Sequence, residues 1–232
     1  MLLHGGFWRS HRTLDLMRPL AGSLSAAGVA AWNLDYRSVG HDGGGWPGTL
    51  HDVAAGVAAL DDLADQFPLD RDRVALVGHS AGGQLALWIA GSRSLPGDRP
   101  APPVSVRPRL VVSLAGVCDL IGAAEQRLGD DAVQGFVGGG PDDLPERYRA
   151  VSPQALGPLG VRQLLVHGTA DVKVPVAQST GYAAHARARG DDVELVEVTD
   201  ADHMALVDPA SAACRRTLAA IVGALTSECA SS

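Results

Sequence analysis

The chain has 232 residues, 46% hydrophobic and 19% charged, with a formal net charge of −7. That composition suits a single domain around one sizeable core, and the acidity excludes a basic nucleic-acid footprint or an anionic membrane surface as the main partner. No basic region precedes an apolar run and no stretch approaches the roughly 18 apolar residues that span a bilayer, so the chain as written is expected to be cytoplasmic, with no membrane partner.

The apolar pattern alternates short aliphatic runs with longer amphipathic segments, the signature of a mostly parallel sheet covered by helices on both faces, an α/β fold. The first predicted strand, Met1 to His4, runs into His4-Gly5-Gly6-Phe7-Trp8. Paired glycines at such a turn free backbone N–H groups to face a substrate oxygen, and His4 is placed to brace the loop. Trp8 has two readings, lining an acyl pocket or packing the glycine loop onto the sheet. A helix at about 11 to 27 and a strand at Val29 to Tyr36 follow. The next loop, Gly43-Gly44-Gly45-Trp46-Pro47, lacks the lysine of a phosphate-binding loop, and a helix is predicted at about 50 to 66.

The strand Arg73 to Gly78 carries the strongest signal. It passes through Gly78-His79-Ser80-Ala81-Gly82 straight into an Ala/Leu-rich helix at about 81 to 93, which is G-x-S-x-G in the strand-turn-helix setting its chemistry requires. Ser80 is the candidate nucleophile. The helix start beside it offers N–H groups and a positive dipole end to an oxyanion, so the Ala81 N–H joins the glycine loop in an oxyanion hole. His79 is open to a substrate-facing role or a hydrogen-bonded structural one.

Ser92 to Arg109 contains five prolines and is predicted to be an extended surface loop before the strand Leu110 to Ala115. Asp119 to Gly160, with weak helical signals and a Gly138-Gly139-Gly140-Pro141 break, reads as a small cap shaping the pocket. The strand Gln163 to His167 leads to Asp171, and after a helix at about 176 to 189 the strand Val193 to Val198 leads to His203. A serine hydroxyl needs a histidine to take its proton, and that histidine needs a carboxylate to fix its tautomer. Ser80, Asp171 and His203 stand in the nucleophile-acid-histidine order of one hydrolase fold. Asp119, also after a strand, competes for the acid's place, with Asp200 and Asp202 as weaker candidates. His167 is read as structural, and His11, His41, His51 and His185 as surface or capping residues. A final helix spans about 210 to 226, and the tail from Thr226 to Ser232 is expected to fray. Cys118, Cys214 and Cys229 are too far apart in sequence for a zinc motif and read as buried hydrophobes in a reducing compartment.

On these residues the chain resembles the α/β-hydrolase superfamily, and His4-Gly5-Gly6-Phe7-Trp8 with Gly78-His79-Ser80-Ala81-Gly82-Gly83 is similar to its esterase and arylformamidase branch. The resemblance covers almost the whole chain. It implies a Ser80-Asp171-His203 triad, an oxyanion hole from the backbone of Gly6 or Phe7 with Ala81, and neither metal nor organic cofactor. Members usually carry an antiparallel hairpin before the strand that ends in the glycine motif. Here that strand starts at Met1, so the expectation is either a smaller six-stranded sheet or a natural start further upstream, which could also bear an export signal. The implied reaction is hydrolysis of a small carboxylic ester, with an aryl formamide resembling N-formylkynurenine second and a peptide third. An acyl-transferring or cyclising enzyme, or a non-catalytic binding protein on the same scaffold, is the reading from another class.

Overall fold

The computed structural model describes residues 1–92 and 100–227. Six parallel strands form one sheet in the order β2-β1-β3-β4-β5-β6: β1 Leu2–Leu3, β2 Asn33–Leu34, β3 Ala75–His79, β4 Leu110–Leu114, β5 Arg162–Gly168 and β6 Val193–Val198. The central strands are aliphatic throughout because both faces are covered. Val111 of β4 points into the cluster formed with α2 (Gly48–Gln66), α3 (Ala81–Gly91) and α7 (Ala177–Ala188), which follows β5. Leu110, Val112 and Leu114 point into the opposite cluster, against α1 (Arg18–Ala26) and α8 (Ala212–Thr226). Ser211 caps α8 by accepting from the Cys214 N–H at 2.9 Å.

Three expectations need correction. The strand predicted at Val29 to Tyr36 contracts to two residues because its only ladder partner among the described residues, β1, offers only Leu2 and Leu3. The helix predicted from 11 begins as a 3₁₀ turn at Leu14–Met17, because Pro19 suits a helix's first turn but cannot continue one from upstream. The proline-rich loop is not purely superficial: Ala101, Val104 and Val106 are buried in the core. The segment at 119–160 folds into three helices, α4 Leu120–Glu125, α5 Leu128–Val137 and α6 Pro145–Val151, with Gly138 in the left-handed conformation ending α5 as the glycine break suggested.

Cys118 and Cys214 are buried thiols, pushed up by burial to about 12 and about 11 respectively. Cys229, Pro96, the end of the helix predicted to reach 93 and the tail beyond Ser227 lie outside the described residues. No helix among those described is long and apolar enough to cross a membrane. At the N-terminal end of the strands an apolar cavity of about 610 Å³, lined by Met1, Val29, Leu63, Phe67 and Val74 among others, holds none of the predicted site residues. The Met1 backbone nitrogen, half-buried beside it, donates to the Ala75 carbonyl at 2.8 Å.

Candidate active site

The site forms at the C-terminal ends of β1, β3, β5 and β6, where open parallel sheets bind ligands. Ser80 sits between β3 and α3 with φ 55° and ψ −119°, a conformation that costs an L-residue energy and persists because its surroundings over-determine it. Its N–H donates to Leu114 O at 2.8 Å and its carbonyl accepts from Gly83 and Gln84. Gly78 and Gly82 permit the turn: a Cβ on Gly78 would collide with the Gly82 carbonyl, and one on Gly82 with the carbonyls of Leu3 and His4.

Asp171 and His203 come together as the sequence predicts. His203 Nδ1 lies 2.6 Å from Asp171 Oδ2, and the Asp171 side chain is fully buried while that of His203 is 12% exposed. Burial alone would raise the Asp171 carboxyl. Hydrogen bonds from His167, His203 and the Val174 N–H outweigh it and hold the group well below the usual carboxylate range. The Lys173 and Val174 N–H groups donate to Oδ1 at 2.8 and 2.9 Å, and His167 Nε2 approaches Oδ2 at 3.3 Å. With both oxygens occupied, the carboxylate is fixed as an acceptor for His203 Nδ1, which leaves Nε2 for the serine side. Ser80 and His203 face one cavity of about 330 Å³. Among the described residues the Ser80 Oγ to His203 Nε2 hydrogen bond is not formed, a looseness common before substrate binds.

The glycine loop is braced as expected. His4 stacks on Tyr36 with ring centroids 4.2 Å apart, its Nδ1 lies 2.8 Å from Gly5 O, its Nε2 3.0 Å from Asp35 Oδ1, and Tyr36 Oη donates to His4 O at 2.6 Å. Phe7 and Trp8 both take positive φ, 54° and 55°, and the loop packs its Gly6 and Phe7 against the Ser80 cavity. Among the described residues none of the Gly6, Phe7 and Ala81 N–H groups donates to a backbone acceptor.

Trp8 corrects the substrate-lining reading. It is buried, stacks on Phe136 of α5 at 4.8 Å and donates its indole N–H to Gln84 Oε1 at 3.0 Å, so it packs the loop rather than walling the cavity. Its indole needs a partner once buried, and α3 supplies one. His79 does border the cavity but is buried, with Nε2 donating to the His203 carbonyl at 3.0 Å. Burial, with the nearby His203, pushes it down to about 3 and keeps it neutral. Asp119 caps α4, accepting from the Gly122 N–H at 3.2 Å, and does not approach His203; Asp202 turns its Oδ1 to the Met204 and Ala205 N–H groups.

The expected role of the 119–160 segment in shaping the pocket is also corrected, since no wall of the Ser80 cavity comes from it. It packs behind the glycine loop instead. Arg127, Gly129, Asp130 and Asp131 adopt left-handed conformations that bring Gly129 onto the Phe7 ring, and Arg9 Nη2 donates to the Asp130 carbonyl at 2.7 Å. Gln84 was not singled out from the sequence, yet it joins three elements: it accepts from Trp8 and donates to Val151 O at 2.8 Å. Its position four residues after the serine, on a helix otherwise made of Ala, Gly, Leu, Trp and Ile, was the available signal. Among the described residues no group of His, Cys, Asp and Glu is arranged to hold a metal.

Residues 1–185 match the BD-FAE family model. Over 126 residues the chain is 33% identical to a kynurenine formamidase of the yeast Meyerozyma guilliermondii, covering 52% of this chain and 43% of that one. Over 210 residues it is 28% identical to the esterase LipC of Mycobacterium tuberculosis, 86% of this chain and 51% of that one. The chain thus spans about half or less of the length of these curated relatives. An acetyl ester-xyloside bifunctional hydrolase of Caldicellulosiruptor lactoaceticus superposes with a TM-score of 0.76 at 24% identity, over 95% of this chain and 79% of that one. Sheet order, strand-turn-helix serine and family match agree, and the chain belongs to the BD-FAE family of α/β-hydrolases.

Proposed function

We propose that the chain is a serine hydrolase of small carboxylic esters, with Ser80 as nucleophile, His203 as general base and acid, and Asp171 as the group that orients His203. The observation that carries this reading is the Asp171–His203 hydrogen bond of 2.6 Å facing a cavity that also contains the strained Ser80. Ser80 Oγ attacks the acyl carbon as His203 Nε2 takes its proton, and the negative oxygen that develops is met by the N–H groups of Ala81 and of Phe7 or Gly6. His203 then returns the proton to the leaving alcohol, which departs and leaves an ester on Ser80. Water repeats the sequence on that ester, releasing the acid and restoring Ser80.

The cavity of about 330 Å³ suits short acyl and alcohol groups. The identity to a kynurenine formamidase favours an aryl formamide as the second substrate class, by the same steps with an amine leaving group. A fluorophosphonate probe tests the reading: Ser80 is labelled in the wild type and not in Ser80→Ala, and acetyl, butyryl and aryl-formyl substrates turn over only in the former. A folded wild type that neither labels nor turns over any of these overturns it in favour of a binding protein.

A further inference from the structure

The cavity beside Ser80 carries a charge pattern that ester hydrolysis does not require. Its walls include Arg12 and Lys173, and Lys173 is the chain's single lysine. Many arginines elsewhere are engaged, by carboxylates as Arg18 is by Asp15, Arg37 by Asp52 and Arg73 by Asp70, or by backbone carbonyls as Arg9, Arg147 and Arg187 are. Among the described residues neither Arg12 nor Lys173 has an ion-pair partner. Two cations without a carboxylate partner therefore line the cavity of the nucleophile in a protein of net charge −7.

The backbone beneath each cation is fixed, while the charged side chain itself is exposed. The first carbons of the Arg12 side chain lie over Gly6, where a Cβ would come within about 2.5 Å of the arginine Cβ, so the arginine's backbone abuts the glycine loop. Lys173 stands two residues from Asp171, in the turn closed by its own N–H on Asp171 Oδ1. Among the described residues one carboxylate, Asp202, lies on the cavity wall, and its Oδ1 accepts from two backbone N–H groups. Leu16, Val172 and Met204 supply apolar wall between the charges, with Val172 90% exposed at the mouth.

We propose that this cavity selects small esters carrying a carboxylate, which Arg12 and Lys173 receive while Ser80 attacks the ester carbonyl. The proposal rests on the reading of Ser80 as nucleophile and adds to it a substrate class. Two substrate pairs test it, each matching a carboxylate to its isopropyl isostere: monoethyl succinate against ethyl isocaproate for the acyl arm, and acetoxyacetate against isobutyl acetate for the alcohol arm. In the wild type the ratio of kcat/KM, anionic over neutral, exceeds one for at least one pair, falls with added salt, and drops about five- to tenfold in the Arg12→Gln/Lys173→Gln variant. A ratio at or below one for both pairs, or one unmoved in the double variant, overturns the proposal while hydrolysis of the neutral esters leaves the serine hydrolase standing. If no ester turns over, binding of monoethyl succinate is followed by NMR in the Ser80→Ala and Ser80→Ala/Arg12→Gln/Lys173→Gln variants. Binding that weakens with loss of the two cations upholds carboxylate recognition without hydrolysis, and no binding, or binding indifferent to them, overturns it.

Discussion

His79 gives the most quantitative prediction. Its ring is buried, its Nε2 donates to the His203 carbonyl, and its Nδ1 has no partner, so a second proton would be placed where little stabilises it. Desolvation and the neighbouring His203 lower it from 6.5 to about 3. In the unfolded chain the same ring titrates near 6.5, so between these values the unfolded state binds more protons and stability rises with pH. The contribution is fully present above about pH 6.5 and is lost as pH falls towards about 3, at roughly 1.4 kcal/mol per unit in the middle of the window. From about pH 7.5 to about pH 4.5 the loss assigned to this one ring is about 2–3 kcal/mol. His79→Gln keeps a side-chain N–H near the His203 carbonyl but removes the titration. Urea unfolding followed by tryptophan fluorescence at several pH values, wild type against His79→Gln, isolates the effect, because every other titrating group is shared. The variant loses stability at neutral pH and the gap between the two proteins narrows on acidification. A gap that stays constant across the window would refute the assignment of a buried, neutral His79.

Asp171→Asn keeps the shape of the acid but places an amide against His203 Nδ1; kcat should fall about 10⁴-fold, with KM little changed, and a loss under tenfold would remove Asp171 from the proposed triad. Trp8→Phe strands Gln84 Oε1 and should cost about 1–3 kcal/mol of unfolding free energy. KM for small esters should hold steady, and a large rise in KM would show that Trp8 reaches substrate after all. Gly129→Ala puts a Cβ within 2.7 Å of the Phe7 ring from a left-handed backbone, so it should shift the oxyanion loop and lower kcat more than it raises KM. An unchanged kcat would uncouple the 119–160 segment from the loop.

The sequence made the chemistry legible where local geometry and local pattern coincide. Ser80 needs two glycines and a strand-turn-helix around it, and Asp171 and His203 each follow an aliphatic strand in the nucleophile-acid-histidine order, so local pattern and chain order made them the leading candidates over Asp119. Chain order could not show what lies across a fold. Trp8 and Gln84 are separated by 76 residues, and only the tertiary structure tells whether that indole faces substrate or a glutamine. The helices of the 119–160 segment are short and interrupted by Gly129 and Gly138, which blurs their periodicity, and their packing against Phe7 and Trp8 leaves no local trace. The cations at the cavity are similar: Arg12 and Lys173 are 161 residues apart in the chain and read as ordinary surface charges until the loops converge.

The placement of α4–α6 bears on how this protein would meet a lipid–water boundary. Esterases whose serine lies under a hinged cover respond to aggregated substrate, because an oily surface draws the cover aside. Here the helical segment is fastened behind the glycine loop through Phe136, Trp8 and the Arg9 bond, while Ser80 opens past Val172 and Met204. Among the described residues no such cover lies over Ser80. Rate plotted against ester concentration should therefore pass smoothly through the solubility limit and the critical micelle concentration, as for an enzyme that draws dissolved single molecules from water.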